Sequence, residues 1–94
     1  MSDDDMAQAK INRGQRAKHL LEDTVLNEAF EALLHDADQV REASKPDEVE
    51  LREECHRAKR AIEALRKKLS YWVADGHIEQ ARLVEEENRK HAAH

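Results

Sequence analysis

Between Leu51 and Trp72 the chain sets Leu51, Cys55, Ala58, Ile62, Leu65, Leu69 and Trp72 at steps of four, three, four, three, four and three. That is a heptad seam held for three repeats, the spacing of a helix that offers one narrow stripe to another helix. A second run, Leu26, Phe30, Leu33, Ala37 and Val40, has the same spacing, with Ala29 and Leu34 widening its stripe. Between the two runs lies the one clear punctuation mark, Ser44 to Asp47. A connection this short makes its two helices antiparallel neighbours. The fold class expected is therefore all-α: an antiparallel, coiled-coil-like helical hairpin with a short N-terminal helix and a weak C-terminal helix.

Composition agrees. Two glycines, one proline and 3% aromatic residues suit long helices and argue against sheet. Of the 39% that is hydrophobic, fourteen residues are alanine, so large apolar side chains are few. A 94-residue chain of this kind buries a modest share of its surface, which points to self-association or a protein partner.

Taken in order, residues 1–7 are acidic and read as a disordered end. Residues 8–76 read as the hairpin domain and 77–94 as a weakly helical tail. The first helix is expected from about Gln8 to Glu22, with an apolar face of Ile11, Ala17, Leu20 and Leu21, and Gly14 weakening it by about 1 kcal/mol relative to alanine. Asp23 reads as the N-cap of a second helix over Thr24 to Ala43. Pro46 suits a first helical turn, so the third helix is expected from about Pro46 to Asp75, with Gly76 as its C-terminal stop.

The charge pattern tests the hairpin. From Thr24 to Val40 there are four acids, Glu28, Glu31, Asp36 and Asp38, and no Lys or Arg. From Arg57 to Lys68 there are six bases, Arg57, Lys59, Arg60, Arg66, Lys67 and Lys68, against Glu63 alone. Folding one run back on the other sets acids opposite bases, which acts mainly on register and orientation. It also engages part of the basic charge. With a formal net charge of -5, general nucleic-acid or anionic-membrane binding is not the default.

No residue pattern carries chemistry. Cys55 is the single cysteine, which excludes an intrachain disulfide and a Cys-Cys metal spacing. His19, His35, His56, His77, His91 and His94 are scattered; His19 with Asp23 and His35 with Asp38 supply only two ligands each, too few for zinc. There is no His-Glu-x-x-His, phosphate loop or nucleophile elbow. No catalytic residue, cofactor or metal is expected, and no membrane span, since nothing approaches about 20 apolar residues. The chain also lacks a signal-peptide pattern, so an intracellular protein is expected. The interface candidates are Leu34, Val49, Leu51, Tyr71, Trp72 and Val73. Lys10, Arg13, Arg16 and Lys18 are the candidate nucleic-acid contacts.

Four stretches carry a family resemblance: Asn-Arg-Gly-Gln-Arg-Ala at 12–17, Leu-Leu-Glu-Asp at 20–23, Leu-Asn-Glu-Ala-Phe-Glu-Ala-Leu at 26–33 and Asp-Gly-His at 75–77. Over roughly residues 12–76 the chain resembles a family of small helical proteins of tailed bacteriophages and prophages, encoded among packaging and virion-structure genes. In that family the second helix often opens with Asn-Pro or Asp-Pro; here the pair is Asp23-Thr24. The resemblance implies a phage origin, a place in the host cytoplasm or virion, and a role in particle assembly or DNA packaging. It transfers no catalytic or binding residue. The first expectation is a non-enzymatic assembly protein, homo-oligomeric. The alternatives are a packaging accessory resembling a small terminase component, and a small regulator of a host or phage protein.

Overall fold

The computed structural model describes residues 3–92. Among the described residues there are three α-helices and no strand: α1 Asp3–Glu22, α2 Thr24–Ala43 and α3 Val49–Ala92. The chain divides into two compact units, one of Met1–Leu20 with Lys68–His94 and one of Leu21–Lys67. Both boundaries fall inside the single 8–76 domain expected from the sequence.

α1, all but its last two residues in the first unit, is a full 20 residues and not the short helix expected. It starts at Asp3, so residues 3–7 are helical and Ala7 is buried; Met1 and Ser2 lie outside the described residues. Two features support the longer helix. Asp3, Asp4 and Asp5 occupy its first turn, where the helix dipole favours negative charge. Ala7 also extends the buried stripe of Ile11, Gly14 and Ala17 one turn toward the N-terminus. Of the expected apolar face, Ile11 and Ala17 are buried, whereas Leu20 is largely exposed.

Gly76 does not stop α3. The helix passes through it and continues to Ala92, so residues 77–92 belong to α3 and are not a separate weak segment; Ala93 and His94 lie outside the described residues. No glycine has a positive φ, so the conformation that would end a helix here is absent. Gly76 serves a close approach instead. A Cβ on Gly76 would lie 3.1 Å from the Lys10 carbonyl oxygen and 3.2 Å from the Gly14 Cα. A Cβ on Gly14 would lie 2.7 Å from the Trp72 carbonyl oxygen. The two glycines face each other where α1 and α3 touch, and a side chain on either would press on backbone. Arg13 to Asp75 at 3.5 Å and Lys10 to Glu79 at 3.8 Å flank this contact.

The second unit holds α2 and the first part of α3. Asp23 caps α2, its carboxylate accepting from the Leu26 N–H at 2.8 Å. The Asn27 side-chain amide donates back to the Leu21 carbonyl at 2.8 Å, which the end of α1 leaves free, and to the Asp23 carbonyl at 3.0 Å, which also accepts from the Asn27 backbone N–H. At the other end Ser44 caps α2 by donating from its hydroxyl to the Arg41 carbonyl at 2.6 Å. Pro46 and Asp47 then form the middle of a tight turn closed by Glu48 N–H to the Lys45 carbonyl at 2.9 Å. Proline at the second position of a turn has the φ the turn needs. This is why α3 starts at Val49 and not at Pro46. The Glu48 carboxylate accepts from the Lys45 N–H, and Arg52 donates to the carbonyls of Lys45 and Pro46, so the turn is closed from both sides.

Two ion pairs link α2 to α3: Asp38 to Lys59 at 2.9 Å and Glu31 to Arg66 at 3.0 Å. The Arg66 guanidinium also lies 4.8 Å from the centre of the Phe30 ring. Phe30 and Cys55, the latter a free thiol, are the buried apolar residues of this unit.

Candidate functional site

The two columns of each heptad seam are covered unevenly. A heptad seam has two columns, and a two-stranded coiled coil buries both. In the second unit, Phe30 is buried and Ala37 half-buried on α2, while Cys55 is buried and Ile62 half-buried on α3. These form the inner column of each helix. The outer column of α2 is Leu26, Leu33 and Val40, and that of α3 is Leu51, Ala58 and Leu65. Leu26 and Leu51 are half-buried, but Leu33 is 53% exposed, Val40 43% and Leu65 49%, and Ala58 is exposed too. Val25, off the seam, is 73% exposed.

The interface residues read from the sequence divide differently. Val49 and Tyr71 are exposed, whereas Leu34, Leu51, Trp72 and Val73 are half-buried within their own units. Leu34, Val49 and Leu51 belong to one unit and Tyr71, Trp72 and Val73 to the other. Leu33, Val40 and Leu65, in seam positions assigned to intrachain contact, are also exposed. The signal that marks them is the seam itself, since spacing alone does not separate a column facing a partner helix from one turned aside.

The basic residues of α1 are largely engaged. Lys10 pairs with Glu79, and Arg13 pairs with Asp75 while its guanidinium lies 4.6 Å from the centre of the Trp72 ring. Arg13 and Arg16 line an open groove of about 420 Å³ with Asn12, Leu20, Leu69 and Trp72. Lys18 lines a different hollow, with Ile11, Gln15, Val73 and His77. The four cations therefore do not form one stripe. Further along α3, Arg82 pairs with Glu79 at 3.1 Å and Glu86 at 2.7 Å, and Arg89 with Glu85 at 2.8 Å.

Among the described residues no group of three or more His, Cys, Asp or Glu could hold a metal ion, and no helix is long and apolar enough to cross a membrane. Asp38 has its carboxyl held below the usual carboxylate range, chiefly by the hydrogen bond from Lys59. No family model, curated protein or solved structure matches the chain.

Proposed function

We propose that this protein is a non-enzymatic interaction and assembly protein that works as a homo-oligomer, and that its α2–α3 unit is an antiparallel, coiled-coil-like hairpin. The hairpin reading rests on chain order: going forward from Glu31 to Asp38 on α2 means going backward from Arg66 to Lys59 on α3. The oligomer reading rests on the open outer column. A small chain that leaves Leu33, Val40 and Leu65 about half exposed on one unit gains further burial of these residues by meeting another protein.

The setting we assign is phage particle assembly, on the strength of the resemblance over residues 12–76, with the protein acting in the host cytoplasm or on the virion. The same resemblance suits a DNA-packaging accessory acting through Lys10, Arg13, Arg16 and Lys18. The ion pairs of Lys10 and Arg13 with α3 acids favour the assembly reading, because cations already paired release fewer counterions on meeting phosphate.

Light scattering on the purified chain tests the oligomer. We expect a mass above the 10.9 kDa of one chain, and a monomer at tens of micromolar overturns this part of the reading. Cross-linking in phage-infected or induced cells tests the setting. Recovery of virion or packaging proteins is the expected result, and recovery of none removes the assembly role.

A further inference from the structure

The outer columns of α2 and α3 have matching offsets. Leu33 and Val40 follow the buried Phe30 by three and ten residues, and Ala58 and Leu65 follow the buried Cys55 by three and ten. At 100° per residue, each outer column is turned about 60–80° from its inner one, in the same sense along each chain. In helices that run in opposite directions, equal turns of the same sense bring both columns to the same side of the pair. Level is set by the ion pairs: with Asp38 opposite Lys59 and Glu31 opposite Arg66, Leu33 stands beside Leu65, and Val40 beside Ala58. The open residues thus make one apolar face across both helices.

We infer that this face is covered by the same face of a second copy, related by a two-fold axis parallel to the helices, in a four-helix arrangement. The inference rests on the hairpin and homo-oligomer readings above and names the surface that serves them. Charge selects the occupant. An interface on a two-fold must be self-complementary, and here that complementarity rests on one acid of α2 and one base of α3, because Glu31 and Asp38 pair with α3 on the other side of the hairpin. Asp36 borders the α2 column between Leu33 and Val40, and Arg57 borders the α3 column beside Ala58. Both are exposed, and neither forms an ion pair among the described residues. A two-fold of this orientation lays α2 of one copy over α3 of the other. It sets Asp36 at the level of Ala61 of the second copy, one helical turn from Arg57, within reach of an arginine side chain.

The test is the mass of the full chain by sedimentation equilibrium, with helix content followed by circular dichroism. The wild type is expected at twice the single-chain mass. Leu65→Asp and Leu33→Asp place a charge in the face and are expected to return the protein to a single-chain mass with helix content kept, because neither side chain is buried within its own unit. Tyr71→Ser, outside the face, leaves the mass unchanged. Asp36→Lys alone is expected to weaken association at least severalfold, and adding Arg57→Asp to restore it. A dimer that persists in both Leu variants overturns the face and leaves self-association standing. A monomeric wild type overturns both. If the Leu variants lose helix content, the charge swap decides: restoration supports the face, and its absence overturns it.

Discussion

Gly14 shows how one position is read in opposite ways from local and tertiary physics. Helix propensity alone makes Gly14→Ala stabilising by about 1 kcal/mol. The close approach of the Trp72 carbonyl, 2.7 Å from where that methyl would sit, reverses the sign. Overpacking against backbone costs about 1–3 kcal/mol, so Gly14→Ala is expected to lower the urea midpoint. A raised midpoint would show that α1 and α3 separate freely there. Gly76→Ala meets the Lys10 carbonyl at 3.1 Å and should lose less than Gly14→Ala. Asp38 is expected to contribute to the pH dependence of stability. Its folded carboxyl is held below the ordinary value by Lys59, so its contribution is present above the ordinary aspartate range and is lost as pH falls through the lowered folded value. Acid titration of the wild type is expected to show this loss below about pH 4, and Asp38→Asn to abolish that component. An unchanged acid profile in Asp38→Asn would remove the pair from the account.

At the level of elements, the ends of α2 were readable because capping is local chemistry. Asp23 sits where a carboxylate satisfies a free N–H of the first turn, and Asp23→Ala is expected to cost about 0.5–2 kcal/mol in chemical denaturation, with Asp23→Asn close to wild type. Equal losses for Ala and Asn would mean that the carboxylate charge matters more than the hydrogen bond. The start of α3 was misplaced by three residues, because proline suits a tight turn as well as a first helical turn, and the Lys45–Glu48 hydrogen bonds choose the turn. The end of α3 was misplaced further, at Gly76. Glycine ends a helix when it takes a left-handed conformation, and it lets two helices touch when it stays helical; sequence spacing within α3 does not distinguish these. Only α1, lying against it with a second glycine, does.

At the scale of the whole molecule, the basic α1 residues and the open apolar face make opposite forecasts about partners. If paired cations make α1 a poor phosphate ligand, a labelled duplex is not retained at low salt, and Arg13→Ala with Arg16→Ala changes nothing. Salt-dependent retention that this double variant abolishes would restore the DNA reading. Self-association should respond differently. If burial of Leu33, Val40 and Leu65 drives the proposed self-association, moderate salt should weaken it less than Leu65→Asp does, since salt screens exposed charges and leaves apolar burial intact.

By itself the sequence determined that the chain is helical, where α2 begins and ends, and which acids and bases could meet across α2 and α3. These follow from periodicity, caps and charge order, all of which act over a few residues or repeat along a seam. The tertiary structure alone decided which column of each seam turns inward and that Gly76 is a contact and not a terminus. It also decided which of the α1 cations are engaged. Each of these depends on the rotation and closeness of a second helix, and a heptad pattern is the same whether both of its columns are covered or only one.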